Sequence, residues 1–270
     1  MYHRRVPPAA RTGIARALSK SGYCSRSQAA ALVRAGHVAV NGRIVLDPET
    51  PVRPGQDRIA VDGQSAGERP RVYFAMNKPR GLVTTASDER GRATVYDLFP
   101  QSSNPVEGWI GPVGRLDKAS EGLLLFTNDS LWAARITDPQ SHLPKTYHVQ
   151  IDRIADSELL ARLQQGVRSG SDVLRARSAR LLREGARNSW LEITLEEGKN
   201  RHIRRLLEGQ GVEVLRLVRV AIGPLQLGEL KKGELRPLSP AEKQSIDRAL
   251  DSRLAEKPQK HDRRVPRNVG

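Results

Sequence analysis

Three stretches of this 270-residue chain carry side chains that could do chemistry. In Gly114–Asp129, GRLDKASEGLLLFTND, a single acid and a polar turn stand directly before the most apolar run in that part of the chain. That acid is Asp117. In Glu197–Leu207, EGKNRHIRRLL, four cations crowd around a short apolar pattern, and in Pro144–Gln150, PKTYHVQ, a tyrosine sits in a strand-like run. An ionised carboxylate can serve as nucleophile or proton acceptor where a cation keeps it charged. Asp also begins turns by accepting from its own backbone, and on its residues alone Asp117 fits either role.

Other chemistries lack their residues. The six histidines (3, 37, 142, 148, 202 and 261) have no metal-ligand spacing, and there is no paired-cysteine motif and no HExxH helix. Neither a phosphate-cradling glycine loop nor a Gly-x-Ser-x-Gly elbow occurs. We therefore expect no metal and no cofactor.

Helical spacing orders the second stretch. Ile203, Leu206 and Leu207 share one face, so Arg201 and Arg205, four apart, are expected on the opposite side toward solvent or RNA. Arg204 falls at the border of the apolar stripe, where a guanidinium either snorkels or takes a carboxylate partner. In the third stretch Tyr147 and Val149 share a strand face, as core residues or as the wall of a site.

The elements that must hold these residues come in two blocks. From Thr12, a short helix with Ile14 and Leu18 stops at Ser21-Gly22, and a second opens on Ser25 with Gln28 three residues on, a capping-box spacing, and ends at Gly36. Asn41-Gly42 between Val38–Val40 and Arg43–Leu46 is a strong hairpin signal, and Arg58–Val61 closes the module. Residues 64–70, QSAGERP, read as a linker. Beyond it, strand-like runs at 72–76, 82–85, 123–126, 147–151, 191–195 and 214–220 are interrupted by helices near 130–137, 156–165 and 200–208. Strands and helices without regular alternation predict an α+β fold with a mixed, mainly antiparallel sheet. The expected division is a disordered basic N-terminus (1–10), a helix-pair-plus-hairpin module (11–66), a larger domain (67–240), and a helix running into a disordered basic tail (241–270).

Charge names the partner class. Forty-five Lys and Arg against thirty Asp and Glu leave a net +15, which calls for a polyanion. Aromatic residues are only 4% of the chain, so affinity should come from phosphate contacts more than from base stacking. The lone Cys24 can form no internal disulfide, and no apolar run approaches a membrane span, so a cytoplasmic protein free of membrane is expected; a monomer is the expected form.

The segment SKSGYCSRSQAAALVRAGHVAVNGRIV resembles the S-four-like RNA-binding domain over about residues 12–63. KPRGLVTT, GRLDKASEGLLLFTND, KTYHV, EGKNRHIRRL and LRLVRVAIGPL, all five in family order over about 12–240, resemble ribosomal RNA pseudouridine synthases of the RsuA/RluB type. The resemblance implies that Asp117 is catalytic, that Tyr147 packs against the target uracil, and that Arg204 pairs with the aspartate. His202 stands where that family's helix usually carries Gln. The implied reaction breaks the N-glycosidic bond of a flipped-out uridine, turns the base and rejoins it through carbon. Arg115 is then placed to fill the gap in the RNA stack or hold a phosphate, Leu217 to wall the uracil, and Arg201 and Arg205 to contact RNA. The alternatives are a non-catalytic RNA-binding ribosome-assembly factor and an RNA N-glycosylase that releases uracil.

Overall fold

The computed structural model describes residues 11–85, 88, 90–99 and 109–255. The stretches 1–10 and 256–270, read as disordered from sequence, lie outside the described residues.

The N-terminal module forms from the expected signals. Strand β1 (Thr12–Gly13) leads into helix α1 (Ile14–Lys20), and α2 (Arg26–Arg34) follows. The Gln28 backbone N–H donates to Ser25 Oγ at 3.1 Å while Ser25 N–H donates to Gln28 Oε1 at 3.0 Å, so two otherwise orphaned helix-end donors are satisfied. Strands β2 (Val38–Val40) and β3 (Arg43–Ile44) meet through Asn41 and Gly42, both at positive φ (52° and 83°), the conformation an Asn-Gly hairpin turn needs. After β4 (Pro51–Val52), which pairs with β1, strand β5 (Ile59–Val61) joins β2. Ile14, Leu18, Ala29, Val33, Val38 and Val52 make a core of the module's own. Arg16, Lys20, Arg26, Arg34, Arg43 and Arg58 stay exposed around it.

The segment 64–70 is not a free linker. Gln64–Ser65 is a strand, β6, on the edge of β5, and Arg69 N–H donates to Ser21 O at 3.0 Å. Polar residues concealed this strand, because an edge strand needs no apolar face.

The second block is built on a nine-stranded sheet. Its members are β7 (Tyr73–Lys78), β8 (Gly111–Val113), β9 (Glu121–Thr127), β10 (Lys145–Ile151), β13 (Ser178–Glu184), β14 (Ser189–Leu195), β15 (Val214–Ile222), β16 (Leu225–Gln226) and β17 (Leu235–Pro237). The main order is β13-β14-β10-β15-β9-β7-β17, antiparallel except for the β15–β9 pair. A small hairpin of β11 (Val167–Ser169) and β12 (Asp172–Leu174) stands apart. Helices α3 (Ser130–Thr137), α4 (Ser157–Gln165) and α5 (His202–Glu208) cover the sheet. The mixed sheet and separate helices are the expected α+β class.

All of β9 is buried because both its faces are covered. Leu123 and Leu125 join one apolar cluster and Leu124 and Phe126 another. Helix α6 (Pro240–Ala255) packs onto α3, burying Ile246 and Leu250 beside Trp132 and Ile136, while Trp132 Nε1 donates to Asp247 at 2.9 Å. The expected strand at 82–85 is not formed. Val83 makes a single bridge to Thr94, and Thr84 spends its hydroxyl on the backbone of Leu116, donating to its carbonyl at 2.8 Å.

One topological detail places the site. β15 runs beside β9 only at Glu121 and Gly122, and β8 takes that edge from Leu125 onward. The sheet therefore splits beside β9, and the turn from β8 to β9, residues 114–120, lies at the split.

Candidate active site

Asp117 sits in that turn, partly exposed, and lines a cleft of about 680 Å³. Arg115, Tyr147, Arg201 and Leu217 line the same cleft. Strand register explains the grouping: on β10 and β15, Tyr147 faces Arg219 and Val149 faces Leu217, so these four side chains share one face of the sheet. Tyr147 packs against the apolar clusters on both sides of the split, which leaves its ring at the cleft wall.

Three polar side chains clamp the turn that carries Asp117. Lys78, fully buried, donates to the carbonyls of Pro79 (3.1 Å), Asp117 (3.2 Å) and Ser120 (2.9 Å). Burial pushes its ammonium down to about 8, against the charges of Asp117 and Glu121, which hold the proton on. Thr84 brackets Leu116, and Arg204 donates to Ala119 O at 3.1 Å and to Val214 O at 3.2 Å. Four backbone carbonyls around Asp117 and the Leu116 N–H are thus pinned while its carboxylate makes no ion pair among the described residues.

Arg204 therefore departs from the expected direct pair with Asp117. Its guanidinium binds backbone, and burial together with Arg201 lowers its pKa while the charge of Asp117 acts in the opposite direction. The two interact through the field and through the turn.

Arg205 departs further. It is half-buried and donates to Ser169 O at 2.8 Å and to Asp172 Oδ2 at 2.9 Å. The β11–β12 hairpin folds over α5 and supplies these acceptors, a tertiary contact that helical spacing could not reveal. Arg201 lies outside the helix at its N-cap, exposed, with φ at 48°. His202 is buried, and that burial lowers its pKa, so it is a neutral imidazole at pH 7.

The rim of the cleft is basic and wet, with Arg90, Arg115, Lys118 and Arg201 exposed. Its floor holds two further cations, Lys145 and Arg219. Lys145 donates to Ile136 O at 3.3 Å, and burial followed by the charge of Arg219 pushes it down to about 8. Sequence reasoning overlooked Lys78, Thr84, Lys145 and Arg219. The signals were present: Lys78 closes an apolar strand just before Pro79, and period-two alternation puts Arg219 on the Leu217 face. Among the described residues no group of three or more His, Cys, Asp or Glu could hold a metal ion, and no helix is long and apolar enough to cross a membrane.

Residues 72–209 match the family model of RNA pseudouridylate synthase, and residues 13–59 match that of the S4 domain. The chain is 36% identical to ribosomal large subunit pseudouridine synthase B of Bacillus subtilis, covering 83% of this chain and 91% of that protein. It is 35% identical to an uncharacterized RNA pseudouridine synthase of Aquifex aeolicus, over 86% of this chain and 92% of that one. A crystal structure of a pseudouridylate synthase superposes with a TM-score of 0.61 at 29% identity, covering 87% of this chain and 99% of that chain. The chain belongs to the RNA pseudouridylate synthase family, with an S4 domain ahead of the synthase domain. The expected family, fold class and enzyme class all hold.

Proposed function

We propose that this enzyme isomerises uridine to pseudouridine in ribosomal RNA, with Asp117 as the reacting carboxylate and the target uridine flipped into the cleft. The observation that carries the reading is the state of Asp117. It is open to a cleft of about 680 Å³ and free of any ion pair among the described residues, on a turn held by Lys78, Thr84 and Arg204. A capping or structural acid would be spent on backbone or cations. This one is available to substrate.

The reaction needs little else. The C1′–N1 bond breaks, the base turns, C5 bonds to C1′, C5 gives up its proton and N1 gains one. Asp117 takes part either by bonding to the sugar or by removing a proton from it. Tyr147 and Leu217 offer apolar surface for the turning base, and exposed Arg115 and Arg201 hold the flanking phosphates, which stay near solvent. The similarity to the Bacillus ribosomal large subunit pseudouridine synthase B favours ribosomal RNA, and the exposed arginines of the N-terminal module supply further phosphate contacts. A soluble cytoplasmic monomer remains the expected form, and Arg205 leaves the set of RNA-contacting residues, since Asp172 and Ser169 occupy it.

Mapping pseudouridine in ribosomal RNA from cells with and without the gene is the test. One or more pseudouridines should vanish with the gene and return with the wild-type chain but not with Asp117→Asn. Return with Asp117→Asn would remove the acid from the reaction, and an unchanged map would favour the assembly-factor alternative.

A further inference from the structure

Arg219 is charged, nine-tenths buried and only partly satisfied. It is 6% exposed, its Nε donates to Leu123 O at 2.7 Å, and its Nη2 is shut off from solvent with no hydrogen-bond partner among the described residues. Two cations in its field add to the imbalance, since its charge lowers the pKa of both Lys145 and Lys78. A buried guanidinium bonded only through Nε among the described residues is costly in the free protein, and since Nη2 is sealed, the edge that a ligand can meet is the small exposed part of the side chain that lines the cleft.

The fold holds this side chain with care. Gly122 lets β9 approach β15 so closely that a Cβ there would stand 2.2 Å from Arg219 O and 2.8 Å from Arg219 N. That close approach brings β9 and β15 together where Nε meets Leu123 O. Register places Arg219 directly opposite Tyr147 and two residues from Leu217, so it enters the cleft between the two apolar surfaces.

We infer that Arg219 binds a carbonyl oxygen of the target uracil and takes up the negative charge that the base acquires when its glycosidic bond breaks. This rests on the reading of the cleft as the site of pseudouridine formation. When C1′–N1 cleaves, the electron pair stays with the base and spreads over N1, O2 and O4, until C5 bonds to the sugar and loses its proton. A preoriented cation in a dry site stabilises that anion more than the neutral base, which is what lowers a barrier. Phosphate is the poorer occupant, because the exposed arginines at the rim meet the backbone first and only the planar base reaches the floor beside Tyr147.

The test compares Arg219→Gln and Arg219→Lys in single-turnover pseudouridine formation, with RNA affinity and thermal melting measured alongside. Both variants keep a donor for Leu123 O, so a purely structural role would treat them alike. Arg219→Gln should lose at least about a hundredfold in rate with RNA affinity within about twofold of wild type. Arg219→Lys, which keeps the charge, should run at least about tenfold faster than Gln. A rate for Arg219→Gln within about threefold of wild type, equal rates for the two variants, or a loss confined to RNA affinity would overturn the inference. If Gln fails to fold, Lys decides alone: a rate loss of about threefold to thirtyfold at unchanged affinity supports the inference, and any other result overturns it. A wild-type chain that forms no pseudouridine would instead overturn the functional reading, and this inference with it.

Discussion

Asp117 and Glu121 stand four residues apart at the two ends of one turn, and the structure treats them in opposite ways. Glu121, at the start of β9, has its carboxylate nearly buried and paired with Arg216 (2.9 Å) and Lys232 (2.7 Å). Burial pushes its pKa up, but the hydrogen bonds and charges of those two cations outweigh it, and the net shift is downward. Around Asp117 the cations go to the backbone instead, with Lys78 on its carbonyl and Arg204 on that of Ala119. The contrast teaches how one turn can hold an acid in place without spending it. Glu121 fixes the strand with its side chain, while Asp117 is fixed through its main chain.

Exchanging the charge at each end should separate the roles. Asp117→Asn should lower turnover at least about a hundredfold, read by tritium release from ring-labelled uridine RNA, with melting temperature and RNA affinity nearly unchanged. Glu121→Gln should do the reverse, costing about 2 kcal/mol of stability, less than a fully buried pair because Arg216 and Lys232 are partly solvated. Its turnover, measured below the lowered melting temperature, should stay within about threefold. Equal losses of turnover would dissolve the comparison.

The arginine neighbours on α5 give the next largest effect. Arg204→Lys cannot span Ala119 O and Val214 O with one planar group, so the turn loosens and turnover should fall about tenfold. Arg205→Lys loses its fork onto Ser169 and Asp172, away from Asp117, and should lower stability by about 1 kcal/mol with turnover nearly intact. A larger turnover loss at 205 would place the hairpin, and not the turn, in control of the acid.

The smallest effect is a pH dependence. Protonated Lys78 has three N–H groups for three carbonyls, whereas the neutral amine has two. Turnover should therefore decline severalfold above about pH 8, and Lys78→Met should remove that alkaline limb. Stability responds with the other sign. Because the folded pKa lies below the ordinary 10.5, the unfolded chain holds more protons between about 8 and 10.5, and this group adds stability as pH rises through that window. A melting temperature that fell in parallel with activity would trace the alkaline limb to unfolding.

Much of this protein is written locally. The capping box at Ser25, the Asn41-Gly42 turn, α3 at 130–137 and the helix after Pro240 depend on residues a few positions apart, and each forms where its signal lies. The family motifs likewise name Asp117, Tyr147 and Leu217, which the cleft brings together. Signals fail where stability comes from a neighbour. Edge strands such as β6 and β13 carry polar and charged side chains because one side of each meets water, so their alternation is faint. The run 82–85 has strand-forming residues, but Thr84 is claimed by Leu116 from 32 residues away.

Sequence alone determined the two-module order, the basic balance, the family and the acid at the turn, because composition and short-range patterning encode them. Only the tertiary structure decided who partners whom. Whether Arg204 meets a carboxylate or a carbonyl and whether Arg205 meets RNA or Asp172 depend on what packs against α5, and whether Arg219 is a surface cation or a buried one at the cleft wall depends on strand register. They depend as well on the split of the sheet at Gly122. Those contacts join residues about 10 to 100 positions apart, and the free energy of a buried cation is set by what surrounds it in space, which no local pattern of residues contains.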